Sequence, residues 1–350
     1  MLSTRKQAMF TALADMRRHE QGSHGWSLFH ESLSEVAESA ACGGLDQVLS
    51  ALWRQRPHIS DAHAITLLGI AVRQLALQDG GPADVFRAEL SASRRAPVLA
   101  RALSERAPDV LRLMENHSNS YTGARRFLVP QLVIGAFAAA RDVREVRLLD
   151  LGTSIGLLPR QLNNKVIHDR FAGDLRWLPA PPPFRTIPLG HVGGVDRPPL
   201  PTLAWVRACH GPSDYYEQRF AEVRWSLDQA QEAGTEVELS PLDILDLGAL
   251  EGYLRARRIN VVTCNFVLYQ YADAVQLQIV ETVTRALGSP GVLLSMEPSH
   301  ALARMGCVVR AYRDGGTRAL HVADVSDGHF MGTVTVRDGL AELLGKGEGR

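Results

Sequence analysis

The chain has 350 residues, of which 45% are hydrophobic and 22% charged, with 38 basic and 38 acidic side chains. That composition belongs to a folded protein with room for one large domain or two, and it needs neither disulfides nor metals to build a core. A net charge of zero argues against a surface built mainly to neutralise nucleic-acid phosphates. No run approaches the roughly 18 apolar residues that span a bilayer, and residues 1–6 lead into a mixed segment rather than an apolar signal core. The expected setting is therefore the cytoplasm, with no nucleic acid and no membrane as partner.

Residues 1–140 read as helical throughout. From Ala62 to Leu77 the apolar residues Ile65, Leu68, Ile70, Ala71 and Leu75 recur at helical spacing. Val98, Leu99, Ala102 and Leu103 behave in the same way, and Asp84 and Asp109 suit first helical turns. A further helix is expected over 123–140, kinked at Pro130. This half is expected to be a lid, a substrate-binding region or a dimerisation surface, which leaves a homodimer open.

The pattern changes at Val146, where short apolar strands begin to alternate with amphipathic helices. That alternation predicts a mostly parallel sheet covered on both faces, in a domain spanning 141–350. The predicted strands are Val146–Leu151, Leu203–Cys209, Glu236–Leu239, Ile259–Cys264 and Gly291–Glu297. A hairpin follows, formed by Cys307–Tyr312 and Arg318–Ala323 across Asp314-Gly315-Gly316. Tyr216, Phe220, Val223 and Leu227 mark a helix over 213–233, and another is expected over 275–287. The proline-rich stretch 179–201 reads as an inserted loop.

The feature that carries most chemistry is Leu148-Leu149-Asp150-Leu151-Gly152-Thr153-Ser154-Ile155-Gly156. A strand feeds a tight glycine turn and then a helix, so a ligand can approach the backbone closely. Ordinary strand–helix turns also take two glycines, and the spacing discriminates further. Dinucleotide turns want G-x-G-x-x-G, whereas the middle position here is Ser154, and Asp150 would face an anionic pyrophosphate. A carboxylate suits a cation better, such as an amino group or a sulfonium.

Those nine residues resemble the first motif of class I S-adenosylmethionine-dependent methyltransferases. Leu239–Leu245, Asn260–Tyr269 and Leu287–Leu294 are similar to three further motifs, in the order that family has. The resemblance covers about 146–300 and implies a Rossmann-like α/β fold with a mostly parallel seven-stranded sheet. It implies S-adenosyl-L-methionine as cofactor, S-adenosyl-L-homocysteine as product, and methyl transfer to O or N of a small molecule. Cofactor contacts carried over are Asp150, Gly152, Thr153, Ser154, Gly156, Asp243, Ile244, Asn265 and Phe266. The order of Asn119–Gly123, the glycine turn and Trp205 also resembles an actinobacterial family with this core behind a helical region.

The methyltransferase family places an acid at the end of the second strand, where it holds the ribose hydroxyls. The predicted second strand is followed directly by His210, a histidine in the acid's position, with Asp214 four residues later. An imidazole accepts one hydrogen bond rather than two. This leaves open a degenerate methyltransferase fold used for binding or scaffolding, or a cofactor-fold enzyme with non-methyl chemistry.

Candidate catalytic residues are His117, Tyr121 and Tyr269, each able to take a proton from an acceptor hydroxyl. Asn119 and Arg125 are candidate substrate contacts. The plainer readings are a polar interhelical loop for 117–123, a solvated pair for Arg125-Arg126, and aromatic packing for Tyr269. Cys42, Cys209, Cys264 and Cys307 form no C-x-x-C pair, and His300, His321 and His329 lack metal-ligand spacing, so no metal site is expected.

Overall fold

The computed structural model of the chain describes residues 2–19, 25–39, 42–299, 302 and 306–345; His300 lies outside them. In chain order the elements begin with helices α1 (Leu2–His19), α2 (Trp26–Glu38), α3 (Gly43–Gln55), α4 (Asp61–Asp79), α5 (Ala92–Glu105), α6 (Ala107–Asn116) and α7 (Leu128–Ala140). Then come β1 (Val146–Leu151), α8 (Leu157–Gln161), α9 (Lys165–Phe171), β2 (Arg176–Leu178), β3 (Leu189–Asp196), α10 (Leu203–Cys209) and α11 (Asp214–Glu232). The chain finishes with β4 (Glu238–Pro241), α12 (Leu247–Ala256), β5 (Val261–Asn265), α13 (Asp273–Ala286), β6 (Val292–Pro298), β7 (Cys307–Arg313), β8 (Leu320–Val325), β9 (Thr333–Val336) and α14 (Asp338–Leu344).

Two units emerge: Met1–Tyr121 with Pro201–Ala221, and Thr122–Leu200 with Glu222–Arg350. The sequence-based boundary at 140/141 falls between α7 and β1, whereas these units divide at Tyr121/Thr122. In the helical unit, α4 is buried on nearly every side, with Ala64, Ile65, Leu67, Leu68, Ile70 and Ala71 all inaccessible. Ser60 caps its first turn by accepting from the His63 N–H, and Gly80 ends it in the left-handed region.

The second unit is built on a nine-stranded sheet in the order β2-β9-β8-β7-β6-β5-β1-β3-β4. The expected seven strands are exceeded because β2 and β9 add an edge beyond the β7–β8 hairpin. Strands β4, β3, β1, β5 and β6 run parallel, and β7, β8 and β9 follow antiparallel. Successive residues point to opposite faces. Leu148, Val261 and Leu294 accordingly join α7, α9 and α14 in one core, while Leu149, Val262 and Leu293 join α12 and α13 in another. Helices on both faces of a parallel sheet make this a doubly wound, Rossmann-like core.

Three local expectations are corrected. Leu203–Cys209 is a helix, not a strand: Thr202 caps it by accepting from the Trp205 N–H, and Trp205, Val206, Ala208 and Cys209 are buried at helical spacing. The second parallel strand is instead β3, inside the stretch read as a proline-rich loop. Pro130 does not kink α7, because it is the third helical residue, where no intrahelical partner for its nitrogen exists. The hairpin does form, with β7 and β8 antiparallel across a turn at Asp314 and Gly315.

Candidate functional site

From β1 the sheet grows to one side through β3 and β4, and to the other through β5 and β6. A doubly wound sheet opens a crevice at the carboxyl ends of the strands where the winding reverses, here β1 and β5. The glycine turn leaves β1 with Gly152, Ser154 and Gly156 all at positive φ, +64°, +56° and +71°. A Cβ on Gly152 would stand 2.3 Å from Val267 Cγ2, and one on Gly156 would stand 2.8 Å from Leu239 Cδ2. Both glycines are therefore fixed by sterics as well as by backbone angle.

Asp150 is buried on β1, where the Thr263 hydroxyl donates to it at 2.6 Å. Burial pushes its carboxyl up to about 7, against the pull of Thr263 and Thr153 and with help from the neighbouring charge of Asp196. Asp196 ends β3 and accepts the backbone N–H groups of Ser154 at 2.7 Å and Arg197 at 2.8 Å. Burial raises it to about 6, and Asp243 adds to the rise. Asp243, after β4, accepts from the Leu245 N–H and faces Arg197 at 3.6 Å, beside the buried Ile244. Three carboxylates thus follow one another along one rim.

On the other side, Asn265 ends β5 with both amide atoms buried and without a hydrogen-bond partner among the described residues. Phe266 follows at φ +58°, an uncommon angle for a side chain of its size. The Arg126 guanidinium lies 3.9 Å from its ring centroid. Glu297, near the end of β6, accepts the N–H groups of Val267, Leu268 and Tyr269 at 3.3, 3.0 and 3.2 Å.

The structure brings Asp150, Gly152, Thr153, Ser154, Gly156, Asp243, Ile244, Asn265, Phe266 and Tyr269 onto the carboxyl side of one sheet. His210 is not among them. It follows α10 in the helical unit, buried with Nδ1 2.8 Å from the Val206 carbonyl and its ring against Tyr121 and Phe220. Leu203–Cys209 is a helix that His210 caps, so this histidine does not stand in the acid's place; the residue that ends the second parallel strand of the core is Asp196. His117, Asn119 and Tyr121 belong to the helical unit. His117 stacks on Trp205 at 4.4 Å, and the Asn119 side-chain Oδ1 accepts from the Tyr121 N–H at 3.0 Å.

Arg125 is corrected as a substrate contact. Its guanidinium grips both carboxylate oxygens of Glu222 and one of Asp174, and only 7% of its side chain is exposed. Sequence reasoning also passed over Thr263, Asp196 and Glu297, and read Arg126 only as the neighbour of Arg125. Asp196 did leave a signal: Val192-Gly193-Gly194-Val195-Asp196 closes a short run on an acid, as Asp150 closes another. Among the described residues, no three His, Cys, Asp or Glu are placed to hold a metal ion.

No protein-family model and no curated protein matches the chain. Among solved structures it is similar to PKMT2 from Rickettsia typhi in complex with AdoHcy, at 17% identity and a TM-score of 0.27, over 51% of this chain and 26% of that one. It is similar to SAM-bound CalS10, an amino pentose methyltransferase from Micromonospora echinaspora, at 20% identity and a TM-score of 0.24, over 52% of this chain and 60% of that one. An O-methyltransferase family protein from Burkholderia thailandensis matches at 16% identity and a TM-score of 0.27, over 73% of this chain and 53% of that one. The match spans less than two thirds of each of these three chains. Overlaps this shallow describe likeness only, and the chemistry rests on the chain's own residues.

Proposed function

We propose that the sheet-based unit binds S-adenosylmethionine and that the protein is a methyltransferase acting on O or N of a small molecule. The observation that carries this reading is Asp196, an acid at the end of the second parallel strand and hydrogen-bonded to the glycine turn. Two backbone donors leave lone pairs on its carboxylate for a ribose diol. Asp243 and Ile244 offer an acceptor and an apolar face to an adenine. The unpaired amide of Asn265 offers a donor and an acceptor to the amino-acid end.

Charge selects the ligand class. A pyrophosphate would meet Asp150, Asp196 and Asp243, whereas a sulfonium beside an ammonium is attracted by them. The cofactor, when bound, supplies a methyl group on a positively charged sulfur. The chain's part is to hold the acceptor in line and to keep water out. Tyr269, at the crevice rim and held through its N–H by Glu297, is the candidate to take an acceptor's proton.

Isothermal titration with S-adenosylmethionine and S-adenosylhomocysteine tests the reading. Saturable heat is expected with both, weakened about 100-fold in Asp196→Ala, the loss of two charge-assisted hydrogen bonds. Absence of heat with either ligand overturns it. Candidate acceptors incubated with a labelled methyl donor separate transfer from non-methyl chemistry, in which the label never reaches product.

A further inference from the structure

We propose that Glu297 is the positioning residue of the crevice, holding the 265–269 turn in the one geometry that seats it against the glycine turn. The proposal rests on the crevice assigned above. Three successive backbone N–H groups, those of Val267, Leu268 and Tyr269, converge on one buried carboxylate. A turn of this kind leaves its amides without helical or sheet partners, and burying them unpaired is costly. Glu297 satisfies all three from the neighbouring strand.

The turn it holds is strained. Phe266 sits at φ +58° and is kept there by its N–H bond to the Met296 carbonyl at 2.8 Å, by Gln270 donating to its own carbonyl at 3.1 Å, and by Arg126 over its ring. Residues in such regions persist only where their surroundings fix them, and they cluster at functional sites. Val267 then packs so closely on Gly152 that no Cβ fits between them. Through this contact Glu297 sets the spacing between the two turns that flank the ligand, and with it the place of Asn265.

The carboxylate is also poised to respond to pH. Burial pushes Glu297 up to about 7, against its three N–H donors and the charge of Arg126. The other groups facing it are the Cys264 thiol on β5 and the Cys307 thiol and Tyr312 hydroxyl on β7, all raised by burial, Cys307 to about 12. Asp150, also at about 7, lies beyond Cys264, so the readout must be local to the turn. On protonation one carboxyl oxygen becomes a donor and faces an N–H, which loosens the turn.

The test is amide hydrogen exchange together with titration of S-adenosylhomocysteine, on wild type and Glu297→Gln. The amide side chain keeps one acceptor but turns a donor toward the N–H groups. Exchange at 267, 268 and 269 is expected to quicken at least about tenfold while amides of β5 stay within about threefold, and affinity to fall about tenfold. Unchanged exchange in the turn, loss of protection throughout β5, or affinity within about twofold of wild type overturns the proposal. Should the variant not fold, wild-type protection of these three amides, corrected for intrinsic exchange, is followed from about pH 8 to about pH 6. A fall relative to β5 supports the proposal, and a flat profile overturns it. A wild-type protein that does not bind S-adenosylhomocysteine overturns the cofactor reading, while the exchange measurements still decide the role of Glu297.

Discussion

The backbone N–H of Ser154 donates to the Asp196 carboxylate at 2.7 Å, which fastens the turn after β1 to the end of β3. The neighbouring Thr153 N–H reaches the Val195 carbonyl at 3.0 Å and reinforces the same junction. Gly194 is part of it, since a Cβ there would stand 2.5 Å from Thr153 Oγ1. A ligand bound at the glycine turn and one bound at Asp196 therefore meet a single pre-organised surface, which lowers the cost of ordering on binding.

Gly152→Ala is expected to destabilise the protein by about 2–4 kcal/mol, from the positive φ and from overpacking on Val267. Val267→Ala in the same chain should recover part of that loss. Denaturant unfolding of the two single variants and the double variant measures the coupling; strictly additive losses would show that the contact does not carry the cost.

The raised acids impose a pH dependence on stability in the absence of ligand. Asp150 at about 7 stays protonated in the fold at pH values where the unfolded chain has already ionised it. Its stabilising contribution is thus present below about pH 4 and is lost as pH rises toward about 7, at a slope of about 1.4 kcal/mol per pH unit. Asp150→Asn should remove that slope, so the stability difference between wild type and variant shrinks or reverses as pH rises. Melting curves across the window check it; a difference independent of pH would contradict the burial argument.

Cation binding runs the other way. A sulfonium favours ionised Asp150 and Asp196, raised to about 7 and about 6. Affinity for S-adenosylmethionine should therefore climb between about pH 5 and pH 8, with protons released on binding. Titrations in two buffers of different ionisation heat count those protons, and zero release across this range would refute the linkage.

Arg125→Ala should cost about 3 kcal/mol of stability, because the largely buried Glu222 carboxylate loses both of its hydrogen bonds from the guanidinium. Glu222→Gln in the Arg125→Ala background should be less harmful than the sum of the two changes. Thermal denaturation of the variants distinguishes this structural role from acceptor binding, which would leave the melting temperature near that of wild type.

Much of the sheet unit was legible because its periodicities are plain. The strand Val146–Leu151, the glycine turn, the helices near 214–232 and 273–286 and the antiparallel hairpin follow from spacing and turn chemistry. The motif order predicts an acid after β4 and an amide at the end of β5, where Asp243 and Asn265 lie. The second strand was not legible. Leu189–Asp196 holds three glycines and is bracketed by prolines, so its local preference is against a strand.

What the sequence by itself determined is the alternation of strand and helix from Val146 and the glycine turn after β1, whose positive φ favours glycine. Those are local properties, set by the chain's own backbone and side-chain period. Only the tertiary structure decided that β3 lies between β1 and β4, since its ladder partners supply the hydrogen bonds that its composition does not favour. The same holds for Leu203–Cys209, an apolar run too short to show its own period and fixed as a helix by its cap and by burial of Trp205. Asp196, Glu297 and Arg126 acquire their roles across strands, from contacts spanning tens of residues in sequence, and no local rule encodes which acid will meet which backbone amide.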